Sequence, residues 1–396
     1  MKLNDVVILD GARTAIGTFG GSLSNFTPAQ LGTFSALEAI KRSGVDAKDI
    51  DHSVFGHIIT TSPQDVYVAR HIALNVGMSE DSAAFNVNRL CGSGVQSVIS
   101  AAQMIMLGDS TIALAGGSES MSQGAYLLPK ARTGFKMGDT KAIDLTLGIL
   151  SDPFGSGHMG VTAENIAKEY NFSREQLDNY SIESHQKATR AIDAGFFEDQ
   201  IVPVPVKLGR KEFVFSTDEH VRADANTTQM AKLKAAFQKD GLVTAGNASG
   251  LNDGAAALVL TSINEAEKRG LKPRGRFVSY AFAGVKPNMM GLGPIPAVNK
   301  ALEQAKLTIQ DFDVIESNEA FSAQAMAVSQ SLNFDIKKVN PNGGAVALGH
   351  PVGATGSILI IKTLAELERV NGRYGLITMC IGGGQGIALI IERLAR

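Results

Sequence analysis

Along the chain, short apolar runs alternate with longer stretches in which apolar residues recur every three or four positions. Residues 6–9, 112–115, 257–260, 313–316, 376–379 and 387–391 read as short buried strands. Residues 31–42, 95–107, 161–170, 174–194 and 355–369 carry the helical period between them. Strands alternating with helices predict an α/β fold. A weak internal repeat accompanies the alternation. Ala36-Leu37-Glu38 with Lys41 matches Ala301-Leu302-Glu303 with Lys306, and Asp49-Ile50-Asp51 matches Asp311-Phe312-Asp313 with a three-residue gap. Ala113-Leu114-Ala115-Gly116-Gly117 likewise resembles Thr378-Met379-Cys380-Ile381-Gly382-Gly383, a strand ending in glycines. Two related halves are expected.

Residues 121–249 fit neither half. They hold Pro129, Asp152-Pro153, Pro203 and Pro205, the charged run Asp218-Glu219-His220, and a close at Gly246-Asn247-Ala248-Ser249-Gly250. They are expected to form an inserted loop domain that carries substrate contacts. The organisation so read is residues 1–120 plus 250–272, the insert 121–249, and residues 273–396.

Composition narrows the function. With 37 basic and 39 acidic side chains the 396-residue chain has a net charge of −2, which supplies no footprint for nucleic acid or an anionic membrane. Two cysteines, Cys91 and Cys380, are too few for a disulfide framework and too far apart for a zinc motif, so a reducing, cytoplasmic setting and no metal are expected. Glycine is in excess, at 42 residues, which marks tight turns and close backbone approaches to a ligand.

Gly155-Ser156-Gly157-His158-Met159-Gly160 matches the dinucleotide fingerprint in letters only. Leu150-Ser151-Asp152-Pro153-Phe154 before it reads as a turn, not the strand a dinucleotide site needs. Cys91, in Asn88-Arg89-Leu90-Cys91-Gly92-Ser93-Gly94, opens an amphipathic helix, where the dipole favours thiolate and the glycines admit a substrate; inert packing is the alternative. His350 is pinned between Gly349 and Pro351 in a segment with five glycines between 343 and 356. Asn318 follows a predicted strand, where a helix N-cap is the ordinary reading, and Cys380 ends a strand before Gly382-Gly383-Gly384.

Together the Cys91 segment, Asn318-Glu319-Ala320-Phe321, Gly349-His350-Pro351 and Cys380-Ile381-Gly382-Gly383-Gly384 resemble the four active-site signatures of the thiolase family, in the same order and over essentially the whole chain. The closest likeness is to acetyl-CoA acetyltransferases and broad-range β-ketothiolases. The resemblance implies an α/β thiolase fold whose two similar halves form a layered αβαβα core. It also implies acyl transfer between acyl-CoA and acetyl-CoA, by Claisen condensation or the reverse thiolysis.

By the same resemblance Cys91 carries the acyl group, His350 takes its proton, and Cys380 is the general acid/base. His350 and a water on Asn318 would stabilise the enolate oxygen, and the backbone N–H groups of Cys91 and Gly382 the acyl-enzyme oxyanion. Arg222, Leu233, Phe237, Ala245 and Ser249 would surround coenzyme A, with His158 and Met159 nearer the thioester and Met290 and Phe321 along the acyl pocket. Coenzyme A thioesters are then substrates, no tightly bound cofactor is implied, and the expected assembly is a homotetramer built as a dimer of dimers. The apolar tip Tyr126-Leu127-Leu128-Pro129 agrees with self-association. If both sulfurs face one substrate atom, Cys91 and Cys380 are also candidates to bridge on oxidation. Three other readings are weighed against this one. A β-ketoacyl-carrier-protein synthase typically lacks a second catalytic cysteine; a non-catalytic thiolase-like binder would have lost the nucleophile or base; a nicotinamide oxidoreductase rests on the rejected glycine motif.

Overall fold

A computed structural model describes residues 2–395, so Met1 and Arg396, the outermost positions of the predicted halves, lie outside the described residues. Nine strands make the main path of one mixed sheet. They are β1 (Val6–Thr14), β2 (His52–Gly56), β3 (Ala83–Val87), β4 (Ile112–Ser120), β5 (Asn252–Ser262), β6 (Gly275–Gly284), β7 (Val314–Ser317), β8 (Tyr374–Ile381) and β9 (Gln385–Arg393), in the order β7-β8-β9-β6-β1-β5-β4-β2-β3. The principal helices are α1 (Pro28–Ser43), α2 (Val68–Asn75), α3 (Ser93–Leu107), α4 (Met159–Glu169), α5 (Arg174–Asp193), α6 (Pro294–Ala305), α7 (Ser322–Ser331) and α8 (Thr355–Arg369).

Counted outward from the β1/β6 seam, the two sides repeat one another. The steps β1 to β5 and β5 to β4 are antiparallel and β4 to β2 is parallel; β6 to β9, β9 to β8 and β8 to β7 run the same way. Even a bulge recurs, between Ile8 and Asp10 on β1 and between Phe277 and Ser279 on β6. The sequence matches fall on equivalent pieces, α1 into β2 with α6 into β7, and β4 with β8.

Period-two alternation sorts the strand side chains into layers. Val6, Ile8, Ala113, Ala115, Ile377, Met379, Ile387 and Leu389 join Val95, Val98 and Ile99 of α3 and Ile358 and Ile361 of α8 in one central core. Their neighbours point the other way: Val7, Leu9, Ile112 and Leu114 pack under α1 and α2, while Leu376, Ala388 and Ile390 pack under α6 and α7. The order helix, sheet, helix pair, sheet, helix is the layered αβαβα core.

At its centre α3 and α8 cross almost backbone to backbone. A Cβ on Gly94 would lie 2.7 Å from the Ser357 nitrogen, and one on Gly356 2.3 Å from the Val95 nitrogen. Both helices start there. Neither N-cap residue, Gly92 or Ala354, caps its helix with a side chain.

Several elements differ from the hydropathy reading. The strand expected at 112–115 continues to Ser120, because Ser118 and Glu119 are buried with tertiary hydrogen-bond partners. Strands β2, β3 and β6 lack a short all-apolar run, and β6 alternates buried with half-buried positions. Helix α7 begins at Ser322 with Phe321 at its N-cap, so Asn318 is not a capping residue. The glycine motif at 155–160 runs from the turn of a short hairpin, which pairs Ser151–Asp152 with Gly157–His158, into the first residues of α4, with Gly155 and Gly157 at positive φ. The segment Leu90–Leu107 is apolar and long enough to span a bilayer by composition; here it supplies α3, between the two sheet halves.

Candidate active site

A cavity of about 400 Å³ opens at the N-terminal ends of α3 and α8 and is lined by Cys91, His350, Cys380 and Gly382. Cys91 immediately precedes the Gly92 N-cap, following Leu90 held at φ 46° in the left-handed region. The backbone N–H groups of Gly382 and of Cys91 itself lie close enough to its sulfur to favour thiolate. Burial nevertheless pushes the thiol up to about 11, with the Glu119 charge adding to the rise. The expectation that the helix start favours thiolate is therefore outweighed by desolvation. Cys91 is thus a thiol at rest, and attack by its sulfur would require that proton to leave.

His350 sits at the base of α8 in a turn that requires glycine. Gly349 has φ 105°, and a Cβ there would lie 2.5 Å from the Asn252 side chain. Asn252 Oδ1 accepts the His350 backbone N–H at 2.9 Å, so the same contact fixes the turn. The Thr355 hydroxyl donates to the Pro351 carbonyl at 2.9 Å and is 2.7 Å from His350 Nδ1. With its own proton committed, that hydroxyl accepts from Nδ1–H, and the lone pair falls on Nε2. Asn318 places its Nδ2 amide 3.5 Å from Nε2, anchored by its backbone N–H to the Thr378 carbonyl. Burial lowers the imidazole to about 4, so it is neutral at physiological pH and able to receive a proton.

Cys380 ends β8 opposite Gly386 of β9. Burial, and then the nearby Cys91 sulfur, push its thiol well above the ordinary range. The following turn has Gly383 and Gly384 at φ 81° and 83°, and a Cβ on Gly384 would lie 2.4 Å from the Val285 carbonyl. Only glycine lets this turn deliver the Gly382 N–H to Cys91.

The cavity wall includes nearly every residue predicted for substrate. His158, Met159, Phe237, Ala245, Ser249, Met290 and Phe321 all line it. Phe237 stacks on His158 at 4.5 Å and meets Phe321 edge-on at 6.1 Å, over Gly160, where a Cβ would strike the ring. Two predicted residues stand outside the wall. Arg222 is exposed, its backbone N–H given to His185 Nδ1, and Leu233 covers Gly246 next to Ala245.

The wall also contains residues the sequence reading missed, notably Met121, Leu147, Leu150, His220 and Val352. The apolar spacing of Leu147, Ile149 and Leu150 was the available signal. Behind it stand two buried carboxylates. Glu319 accepts from Tyr180, Ser184, Asn340 and the Val346 N–H, tying α5 to the histidine loop. Glu119 accepts the Ile59 and Gly353 N–H groups at 3.0 and 2.9 Å. Among the described residues no cluster of side chains suits a metal ion.

This chemistry fits a family that the whole chain matches. The N-terminal domain of thiolase corresponds to residues 6–264 and the C-terminal domain to residues 271–393. The chain is 56% identical over 391 residues to the beta-ketothiolase BktB of Cupriavidus necator, covering 98% of this chain and 99% of that protein. It is 46% identical over 395 residues to the acetyl-CoA acetyltransferase of Escherichia coli, covering 99% and 100%. Among solved structures, human mitochondrial 3-ketoacyl-CoA thiolase superposes with a TM-score of 0.97 at 41% identity, covering 99% of this chain and all of that one. That human enzyme has also been solved in complex with CoA, at a TM-score of 0.96 and covering 99% and 98%. With both domains matched in order and the fold shared along the chain, this protein belongs to the thiolase family.

Proposed function

We propose that this protein is an acetyl-CoA C-acetyltransferase or β-ketothiolase, joining an acyl group to acetyl-CoA through an acyl-enzyme on Cys91, and cleaving 3-ketoacyl-CoA in reverse. The carrying observation is two thiols, Cys91 and Cys380, on one cavity with His350 and Gly382. The Cys91 sulfur attacks the acyl carbonyl as its proton moves to His350 Nε2. The C–S bond to coenzyme A breaks, and Cys380 gives its proton to the departing thiolate. The Cys380 thiolate, a strong base because its thiol is so weak an acid, then takes a C2 proton from acetyl-CoA. The resulting carbanion attacks the acyl-enzyme, the new C–C bond forms, and Cys91 leaves and recovers its proton from His350. Asn318 beside His350 supports the enolate oxygen, and the Gly382 and Cys91 N–H groups the acyl oxyanion.

Arg222, Leu233, Phe237, Ala245 and Ser249 are proposed along the coenzyme A path, the first two outward of the cavity. His158 and Met159 are proposed near the reacting thioester, and Met290 and Phe321 around the acyl chain. A carrier-protein-dependent condensing enzyme is disfavoured by Cys380. We propose a homotetramer for the assembly. Edge strand β3 leaves Phe85 exposed near Val66 and Tyr67, and Tyr126, Leu127 and Leu128 form a second apolar surface. The two free thiols suit a cytoplasmic setting.

Substitution of each cysteine tests the mechanism. Cys91→Ser is expected to abolish the covalent adduct formed from acetyl-CoA, read by intact mass. Cys380→Ser should still acylate Cys91 while C2 proton exchange falls by about 10²-fold or more. Acetyl label on Cys380, or full exchange in Cys380→Ser, would overturn the assignment.

A further inference from the structure

Behind the nucleophile lies a row of three buried ionisable groups that the acyl-transfer steps do not use. His57 stands between two carboxylates: Nδ1 is 3.1 Å from the Ser118 carbonyl, which fixes a proton there, and 3.2 Å from Glu119, while Nε2 makes no hydrogen bond and faces Asp65 at 3.6 Å. All three are nearly or wholly removed from solvent. Each carboxylate is also held by the backbone. Asp65 takes the N–H groups of Thr61 and Ser62 and both of their hydroxyls. Glu119 takes the Ile59 and Gly353 N–H groups, and so fixes the segments that carry the cavity residues Ile58 and Val352.

Glu119 has a cost for the site. Cys91 packs against Ile59 and Val352, the segments whose backbone Glu119 holds, and behind the larger effect of burial the Glu119 charge acts on the sulfur in the direction that opposes thiolate. A bare carboxylate near a reacting thiol would raise the barrier to every step in which sulfur gains charge. A cation on the far side of the carboxylate converts that field from that of a single charge to that of a pair, which falls off faster with distance. We propose that His57 is a positively charged positioning residue, held as imidazolium between Asp65 and Glu119, that lets Glu119 anchor the Ile59 and Gly353 loops without suppressing ionisation of Cys91. The inference rests on Cys91 being the reacting thiol.

The remaining groups agree with this division of labour. The other titratable groups on the Cys91 cavity are His350, His158 and His220, each lowered by burial, and Cys380, a thiol; none supplies a compensating cation. Asp253, on β5 next to β4, also feels Glu119, and burial followed by that charge raises it to about 6, its Ser122 bonds opposing. Burial alone would lower His57, yet Glu119, Asp65 and the Ser118 carbonyl together raise it to about 10.

Two measurements test the proposal, and neither requires turnover, so they stand apart from the acyl-transfer reading. In the full-length wild-type protein labelled with ¹⁵N-histidine, the His57 ring nitrogens are expected to report imidazolium throughout pH 6 to 8. A neutral His57 at pH 7 overturns the proposal. The pH dependence of Cys91 alkylation by iodoacetamide, followed by peptide mass, reads the thiol itself. His57→Asn should raise its apparent pKa by about one unit, a roughly tenfold slower alkylation at fixed pH. The double variant His57→Asn with Glu119→Gln should bring it back toward the wild-type value. An unmoved profile in a folded His57→Asn protein, or a double variant no closer to wild type than the single one, rejects the electrostatic role. Should His57→Asn fail to fold, the wild-type ring signal decides alone.

Discussion

His350, in the loop before α8, and Thr355, the first residue of that helix, are joined by a 2.7 Å contact from Nδ1 to Oγ1 that dictates which imidazole nitrogen keeps its lone pair. Thr355→Val keeps the shape and removes the acceptor, freeing the ring to place its proton on Nε2. Acylation of Cys91 is expected to slow by about 10²-fold, while Thr355→Ser retains most of the rate. Burst kinetics with acetyl-CoA check this, and equal rates in the two variants would refute it.

Buried His350 stays neutral to about pH 4, whereas in the unfolded chain it protonates near 6.5. Its folded pKa is depressed, so the stability it contributes is present above about 6.5 and is lost as pH falls toward 4. His350→Asn should therefore show a shallower acid limb in urea unfolding between those values. The slope should differ by at most about 1.4 kcal/mol per pH unit. Parallel limbs would contradict the burial argument.

His57 has the opposite sign. Raised to about 10, it contributes stability that is complete below about 6.5 and declines as pH rises toward 10. Thermal melts of wild type and His57→Asn should diverge most at pH 6 and converge toward pH 10.

Gly349→Ala would combine a left-handed backbone with a methyl in the space of the Asn252 amide. Loss of stability of about 1 to 3 kcal/mol is expected, with a fall in turnover larger than a distant site of equal destabilisation would give. Comparison with an exposed-surface variant matched in Tm separates the two effects.

Phe237 bridges His158 and Phe321 on the cavity wall. Phe237→Ala should raise the KM for acetyl-CoA by about tenfold with kcat nearly unchanged, the pattern of lost uniform binding. A drop confined to kcat would place the ring in the chemistry instead.

Cys91, His350 and Cys380 were legible in the chain because each lies in a run of glycines that hydropathy cannot explain. Thr355 and Asn252 were not, since a threonine opening a helix and an asparagine opening a strand look ordinary until the fold brings them to His350. Glu119 was hidden more thoroughly. It lies beyond Ala115, where the apolar run ends, yet the strand continues with polar side chains whose partners come from residues as distant as Gly353. Local pattern reports the elements that bury oil. It does not report polar groups satisfied by other segments, and those are the groups that hold this cavity in shape.

The crossing of α3 and α8 at Gly94 and Gly356 makes the spacing between sulfur and imidazole a property of two main chains. Cys91 arrives on the helix of one half, and His350 and Cys380 come from the other. Neither half alone holds all three cavity side chains, and the helices that carry them are set by main-chain contact. A single added methyl at the crossing would act as a wedge, parting Cys91 from His350 while leaving every cavity side chain chemically intact. Docking of the two halves is therefore expected to be the event that brings Cys91 to His350 and Cys380, and a chain whose halves part at this crossing is expected to lose the shared cavity.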